Sequence, residues 1–300
     1  MPTGIIWTDE TWNPVVGCTQ VSPGCAHCYA KVLHDQRHKA HREGKLQAPQ
    51  YAEPFERVQL KPERLDYPRS WRRPRRIFVN SVSDLFHPDV PDFYIADVFA
   101  VMAEAHWHTY QILTKRPARM LRWFTEYLPE TCSGEKPAPV WPLPNVWLGV
   151  SVENQRFADE RIPLLLRVTA AVRWLSCEPL LGPVNLAQWL APAVRVSRGG
   201  PPEDRAPLTD EEVTVFSQVG RAVAKMQGGA FVDWVVCGGE SGPGHRPLNL
   251  DHARSLRDQC VDAGVPFLFK QVGGKTAKSG GRELDGRTWD EYPRTGEVAA

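Results

Sequence analysis

The chain has 300 residues, of which 42% are hydrophobic, and this is enough apolar material for a sizeable core. The formal net charge is only +1, which excludes a global field that attracts nucleic acid, so any basic binding surface must be local. No run approaches the roughly 18 apolar residues of a membrane span. The first ten residues lack a basic segment followed by an apolar run. We therefore expect a cytoplasmic protein without membrane contact.

Short apolar β-type runs alternate with helical patterns along most of the chain. Strands are predicted at 76–80, 109–113, 146–150, 172–175, 234–237 and 266–269, with a further one near 5–7. Helical spacing of apolar residues predicts helices at 91–106, 117–127, 155–167 and 250–263. This alternation is typical of parallel β/α units. The sequence therefore predicts an α/β fold, either a complete or a partial (β/α) TIM-type barrel, with a doubly wound open sheet as the alternative.

Two stretches interrupt this rhythm. We interpret residues 129–145 and 191–229 as rim insertions in a single barrel domain that spans residues 1–300. The second insertion contains a predicted helix at 210–226, capped by Thr209. From about residue 273 the chain is rich in glycine and lysine, which predicts an extended C-terminal tail.

Polar side chains follow nearly every predicted strand. In β/α barrels the active site is built at these carboxyl ends, although solvated loops are polar in any case. Glu178 and Glu240 are placed to accept a hydrogen bond from an amino group, and Asp84 either acts in the site or closes a turn. The candidate catalytic residues are Asp84, Glu178, Glu240 and Lys270. Cys177 and Cys237 also end strands, and they either face the site or are small buried hydrophobic residues, the interpretation that we prefer.

Three of the seven cysteines, Cys18, Cys25 and Cys28, fall within eleven residues of a glycine- and proline-containing segment. In a cytosolic chain, such clustering indicates a metal or catalysis before disulfides. Soft thiolates select zinc, copper(I) or iron–sulfur clusters. A structural zinc site needs four ligands, and no second CxxC is present, although His27 or His34 could serve as the fourth. Three cysteines suit a [4Fe–4S] cluster with one open iron, while zinc and free thiols stay as alternatives.

The cysteine segment and several later motifs resemble those of a protein family common in phages and prophages, related to radical S-adenosylmethionine (SAM) enzymes of the spore photoproduct lyase type. The resemblance covers almost the whole chain outside the two insertions. The matching segments are WNP (12–14), GC (17–18), VSPGC (21–25), CYA (28–30), NSVSDLF (80–86), LTKRP (113–117), WLGVSVEN (147–154), EPLLG (178–182), GGESG (238–242), FKQ (269–271) and LDGR (284–287).

This resemblance implies a barrel of the radical-SAM kind with a [4Fe–4S] cluster and SAM as cofactors. Such enzymes hold the SAM amino group at the end of the second strand, and here Asn80, Ser81 and Asp84 occupy that position. Ser151, Glu153 and Asn154 follow the fourth strand, where such enzymes contact the ribose or methionine end of SAM. The cysteine spacing departs from the usual CxxxCxxC. In radical-SAM enzymes a GGE segment usually follows the second strand and holds the SAM amino group. Here the GGE segment at 238–240 follows a late strand, so we do not assign that role to it.

Basic residues interleaved with a tryptophan precede the second strand. Such a pattern suits a nucleic-acid backbone, and a solvated charge run is the alternative. The candidate nucleic-acid residues are Trp71, Arg72 and Arg73 in this run, and Lys115 and Arg116 at the end of the third strand.

The favoured function is a radical-SAM-like enzyme of the repair or modification type that acts on nucleic acid or nucleotides. Its expected partners are that substrate and an electron donor such as ferredoxin or flavodoxin, and we expect a monomer. Two other classes stay open: a zinc-stabilised nucleic-acid-binding module without catalysis, and an iron–sulfur redox sensor or electron carrier.

Overall fold

A computed structural model of the protein describes residues 3–128, 141–190, 229–276 and 279–294. Most of the two predicted insertions, including the predicted helix at 210–226, lies outside the described residues. In the described part of the chain, no helix has both the length and the apolar character needed to cross a membrane. The helices are α1 (Tyr29–Arg42), α2 (Tyr67–Ser70), α3 (Asp92–Glu104), α4 (Pro117–Arg122), α5 (Gln155–Leu166) and α6 (Leu250–Asp262).

The strands form one large sheet and two small ones. They are β1 (Glu10–Trp12), β2 (Val15–Val16), β3 (Gln59–Leu60), β4 (Arg76–Val79), β5 (Thr109–Thr114), β6 (Val146–Ser151), β7 (Val172–Cys177), β8 (Trp234–Gly238), β9 (Phe267–Gln271), β10 (Glu283–Leu284) and β11 (Arg287–Thr288). The large sheet has seven strands in the order β1-β4-β5-β6-β7-β8-β9, and all its neighbours are parallel. The order follows the chain without a reversal, so the doubly wound alternative is wrong. The sheet is a half-barrel, compatible with a partial TIM-type barrel.

All six firmly predicted strands occur, within one or two residues of their expected bounds. The strand expected near 5–7 is wrong, because the chain turns there and joins the sheet only at Glu10. The backbone N–H of Asp9 already donates to the carbonyl of Arg76, which sets the register of β1 against β4. Trp7 instead packs its ring against Phe78 and Trp174, with centroids 4.6 and 5.2 Å away.

Alternate residues of the large sheet face two different cores, as the two-residue period of a strand requires. One face packs on the helices. The other face carries a second buried cluster made largely of tryptophans: Trp7, Trp147, Trp174 and Trp234. Its close packing needs a glycine at 149, since a Cβ there would lie 2.5 Å from Trp174 Nε1. Toward the carboxyl ends of β6 and β7, the same face carries the small residues Ser151 and Ser176, which leaves space above the tryptophans.

The described part of the C-terminal tail differs from the extended segment that its composition predicts. Strands β10 and β11 form an antiparallel pair, and Leu284 in β10 is buried in the main core. The backbone N–H of Phe269 donates to the carbonyl of Trp289, and Asp290 bridges to Leu268. The tail therefore covers the free edge of β9, where unpaired backbone groups would otherwise be exposed.

Candidate active-site cavity

A cavity of about 480 Å³ lies at the carboxyl ends of the large sheet. Every strand from β4 to β9 contributes lining residues from its last positions or from the loop that follows. Further lining comes from the segment 17–28, which we call the cysteine loop, and from Gly4, Ile5, Trp7, Tyr29, Ala30 and Phe55. Sequence-predicted residues in the lining are Cys18, Cys25, Cys28, Asn80, Ser81, Asp84, Lys115, Arg116, Ser151, Glu178, Glu240 and Lys270. The structure thus brings together residues from seven separate parts of the sequence.

The three cysteines of the loop line this cavity without disulfides among them. Cys25 is buried, and Cys18 and Cys28 are partly exposed. Burial is the main cause that raises the pKa of the Cys18 thiol to about 11, and the charge of Asp84 adds to it, whereas the Arg116 guanidinium opposes it. At neutral pH the metal-free Cys18 is therefore a thiol, and metal binding must release its proton.

Within the described residues, no group of three or more His, Cys, Asp or Glu side chains is arranged around one point that could hold a metal ion. A cubane cluster needs a different arrangement, because each thiolate binds a different iron atom. The donor set here is three soft sulfur atoms on the wall of one cavity, and soft thiolates are the ligands that iron–sulfur clusters take. The residues present therefore fit such a cluster in their chemistry.

Asp84 and Arg116 fix one end of the cysteine loop. The Asp84 carboxylate is buried and accepts hydrogen bonds from Thr114 Oγ1 at 2.7 Å and from Arg116 Nη1 at 3.0 Å. The other guanidinium nitrogen of Arg116 donates to the carbonyl of Thr19 at 2.9 Å, and Nη1 lies 3.5 Å from Cys18 Sγ. Asp84 thus orients Arg116, and Arg116 holds the loop at Cys18.

Glu153 holds the middle of the cysteine loop through Ser22, on the side of the loop away from the cavity. Its side chain is fully buried and does not line the cavity. It accepts hydrogen bonds from Ser22 Oγ at 2.6 Å, Lys115 Nζ at 2.6 Å and Arg161 Nη1 at 2.9 Å. Burial alone would raise the pKa of Glu153, but Lys115 and Arg161 outweigh it and hold the pKa below its usual value. The loop packs on this carboxylate so closely that a Cβ at Gly24 would lie 2.5 Å from Oε1.

Glu240 and Arg246 fix the loop from the side of β8. The Arg246 guanidinium donates to both carboxylate oxygens of Glu240, at 2.6 and 3.0 Å. It also donates to the carbonyl of Pro23 at 3.0 Å. Asp84, Glu153 and Glu240 therefore each stabilise the cysteine loop through a partner side chain. Each of the three carboxylates lies in the loop that follows a strand of the large sheet.

Two other residues of the lining, Glu178 and Asn80, each have one buried side-chain atom without a hydrogen-bond partner among the described residues. Glu178 Oε1 lies 2.9 Å from Lys270 Nζ but accepts no well-directed hydrogen bond. Asn80 is 2% exposed and has a positive φ of 61°, which asparagine tolerates better than most residues. Its Oδ1 accepts from the backbone N–H of Val15, whereas its Nδ2 has no protein partner.

The predicted nucleic-acid residues lie in two separate places. The run with Trp71, Arg72 and Arg73 precedes β4 and so lies at the amino end of the sheet, opposite the cavity. The Arg75 guanidinium lies over the Trp71 ring, 5.2 Å from its centroid, and pairs with Glu10 at 3.0 Å. Lys115 and Arg116 do lie at the cavity, but they are paired with Glu153 and Asp84. The two groups do not form one continuous surface at the cavity mouth.

Three further predictions concern residues away from the cavity. Asn154 does not line it, because its side chain caps α5 and accepts from the backbone N–H of Phe157. Cys177 and Cys237 are fully buried in the helix-side core, as their interpretation as small hydrophobic residues expects. Burial also raises the pKa of both thiols, so neither is a thiolate at neutral pH.

Sequence reasoning did not find Ser22, Arg161 or Arg246. Arg161 carried a signal, because it is a charged residue on the buried face of α5 between Phe157 and Ile162. Arg246 lies in an irregular loop, and no pattern distinguishes it from a solvated arginine.

The fold and the lining together define a β/α half-barrel protein with three free thiols in a cavity at the carboxyl edge of its sheet. The chain belongs to the family described as "Protein of unknown function (DUF5131)", whose model matches residues 2–293. No curated protein matches it. Among solved structures it is similar to "Spore photoproduct lyase complexed with dinucleoside spore photoproduct", with 11% identity and a TM-score of 0.32, covering 82% of this chain. The chain matches 58% of the length of that structure.

Proposed function

We propose that this protein is an iron–sulfur enzyme of the radical-SAM type. Cys18, Cys25 and Cys28 would hold a [4Fe–4S] cluster, and the cavity beside them would bind SAM. One observation carries the proposal: the three thiols line the same 480 Å³ cavity as the polar ends of six consecutive parallel strands. The resemblance of the sequence motifs to a family related to radical-SAM enzymes also supports it.

Three cysteine ligands leave one iron of a cubane open to a small molecule. When bound and reduced, such a cluster supplies the electron that cleaves SAM. The chain's own residues bind and orient the small molecule. The side chains that we propose for this contact are Glu178, Asn80 and Ser151, which line the cavity.

The contacts under the cysteine loop give it a fixed shape before any metal binds. Asp84, Glu153 and Glu240 each reach it through a partner side chain, at the distances given above. Preorganised ligands lose less conformational entropy on binding, which favours tight and selective loading. In this proposal Glu153 positions the cysteine loop and does not itself contact SAM.

The substrate we propose is a nucleic acid or a nucleotide. The support is the sequence resemblance to a family related to lyase-type enzymes, because Arg72 and Arg73, although exposed, lie at the amino end of the sheet, opposite the cavity. Lys115 and Arg116 do not support this proposal, because Lys115 pairs with Glu153 and Arg116 pairs with Asp84. The cavity would be occupied largely by cofactors, so the substrate would approach from its mouth.

Anaerobic reconstitution tests the proposal. The wild-type protein is expected to bind about four irons per chain, as a cubane requires, and to cleave SAM to 5′-deoxyadenosine when dithionite is added. Replacing Cys18, Cys25 or Cys28 by alanine is expected to remove both properties. Cys260→Ala, in α6, is the matched control and keeps them. Stoichiometric zinc without iron would instead support a zinc-stabilised module, and iron without SAM binding would support an electron carrier.

A further inference from the structure

A second, shallower groove of about 180 Å³ lies beside the cavity, between α1 and the loop after β8. Its α1 side carries four residues at helical spacing, so they form one stripe along the helix. Its other side is the glycine- and proline-containing turn after β8. The residues that matter are Tyr29, Val32, Leu33 and Gln36 on α1, and Gly242 and Pro243 across from them.

The stripe on α1 is apolar but exposed. Tyr29, Val32 and Leu33 are 53%, 38% and 38% exposed, and Val21 in the neighbouring cysteine loop is 43% exposed. An i, i+3, i+4 pattern of large apolar residues normally faces a core. Contiguous exposed apolar residues instead mark contact surfaces. The opposite face of the helix, with Ala30 and His34, is the buried one, so the fold itself leaves the stripe uncovered in the described chain.

The stripe begins where the candidate cluster site ends. Cys28 is the N-cap residue of α1, and Tyr29 is the first residue of the helix. His27 and Tyr29 line both the groove and the main cavity, so the two share a wall. A molecule seated on Val32 and Leu33 would therefore lie next to the Cys28 side of the cavity, separated from it by a single layer of side chains.

The surroundings of the stripe are basic. Helix α1 contains Lys31, Arg37, Lys39 and Arg42 and the acid Asp35, and the ion pairs that extend beyond the helix add Glu43, Lys45 and Glu56, so the local difference is five cations minus three acids, or +2. Asp35 is already paired with Lys31 at 3.1 Å. Lys39 is 79% exposed, and the nearest carboxylate oxygen, on Glu43, is 3.9 Å away. On a chain with a net charge of +1, this is a local positive field that attracts an acidic partner.

We infer that the α1 stripe is the docking surface for a small acidic electron-donor protein of the flavodoxin or ferredoxin class, an inference that rests on the proposed function. Such a donor needs a short path to the cluster and a surface that excludes water, and the stripe offers both. One electron leaves the reduced donor and the cluster gains it, so no further reactant is required. Tyr29 is the one aromatic residue of the groove apart from His27, whereas Val32, Leu33 and Pro243 are aliphatic, and this balance favours protein over nucleic acid, which prefers aromatic platforms and arginine.

The test compares two reductants on the anaerobic holoenzyme. The double variant Val32→Glu, Leu33→Glu places two acids in the stripe. Val261→Glu, at a valine of similar exposure (40%) in α6, is the matched control. Each protein is assayed for SAM cleavage with dithionite, and again with a flavodoxin or a ferredoxin kept reduced by its NADPH-dependent reductase. The stripe variant is expected to lose about tenfold or more of the protein-driven rate and to keep the dithionite-driven rate, because buried apolar contacts dominate interface energies.

The outcomes separate this inference from the proposed function. Without SAM cleavage by dithionite in the wild type, the proposed function fails. With dithionite activity present, the docking inference fails if neither donor protein reduces the wild-type cluster, or if the stripe variant and Val261→Glu respond alike. It also fails if the stripe variant instead abolishes single-stranded DNA binding or a concentration-dependent dimer seen by sedimentation. A lower donor-driven rate in Lys39→Glu, Arg42→Glu, with the dithionite-driven rate unchanged, supports the electrostatic part.

Discussion

The carboxylate of Glu153 accepts a hydrogen bond of 2.6 Å from the hydroxyl of Ser22, 131 residues earlier in the chain. Ser22 lies three residues before Cys25, and Glu153 lies just beyond the end of β6. The contact ties the cysteine loop to the most buried part of the sheet. The buried carboxylate of Glu153 is also paired with two cations, Lys115 and Arg161, which offset the cost of burying its charge.

The first prediction follows from this contact. Glu153→Gln keeps the shape of the side chain but leaves Arg161, which is 5% exposed, without its counter-charge. Breaking a buried pair in this way is expected to lower the free energy of unfolding by about 3–5 kcal/mol. Urea denaturation measures the loss. Glu160→Gln, which breaks the exposed pair with Arg156 on the same helix, is the control and should lose less than about 1 kcal/mol. Equal losses would show that Glu153 is not a stabilising centre.

The second prediction concerns pH. Burial raises the pKa of Glu240, but its hydrogen bonds and charge contact with Arg246 outweigh this and hold the pKa below its usual value. A depressed folded-state pKa means that the stabilisation is present above the unfolded pKa and is lost as the pH falls through the folded one. Wild type is therefore expected to be more stable than Glu240→Gln at pH 7, with a difference that shrinks as the pH falls below about 4.5, the ordinary value for glutamate. Thermal melts of both proteins between pH 3 and pH 7 measure it, and a pH-independent difference would contradict it.

The third prediction concerns the tryptophan cluster under the cavity. Gly149→Ala introduces a Cβ 2.5 Å from the Trp174 ring and is expected to destabilise the protein by about 1–3 kcal/mol through overpacking. Gly182→Ala, whose Cβ would have an ordinary 3.4 Å contact, is the control and should change stability by less than about 0.5 kcal/mol. Adding Trp174→Phe makes room, so the two changes together should be less destabilising than their sum. Strict additivity would rule out the contact between positions 149 and 174 as the cause.

The fourth prediction concerns nucleic acid. If Arg72 and Arg73 bind phosphates, changing both to Glu weakens binding of fluorescent single-stranded DNA. The log–log slope of its salt dependence should also flatten by about 0.7 for each phosphate that is no longer neutralised. Lys115→Ala is expected to leave DNA affinity unchanged and to lower iron loading instead, because Lys115 is bound to Glu153. Fluorescence anisotropy at several salt concentrations measures the first effect and iron analysis the second. DNA binding that disappears only with Lys115→Ala would show that the arginine pair is a solvated surface.

The strands that the sequence predicted correctly are those with short continuous apolar runs. Most residues of strands β4 to β9 are buried, and each strand contains a short apolar run such as IFV at 77–79 or WVVC at 234–237. Strand β1 was misplaced because its three residues, Glu10–Trp12, form a short edge strand without such a run. Helix α1 was not predicted at all, since only Ala30 and His34 are buried on a helix dominated by charged and histidine side chains.

The amino-acid sequence by itself determined the β/α alternation, the three clustered thiols and most of the polar residues that line the cavity. Those features depend on local patterns, and polar residues at the ends of parallel strands necessarily meet at one edge of the sheet. Only the tertiary structure decided which of these residues face the cavity and which hold the loop beneath it. Ser151 is the last residue of β6 and Glu153 comes two positions later, yet Glu153 is enclosed by cations and Ser151 lines the cavity. Partners such as Ser22 and Arg161 come from distant segments, so their pairing with Glu153 exists only once the chain has folded.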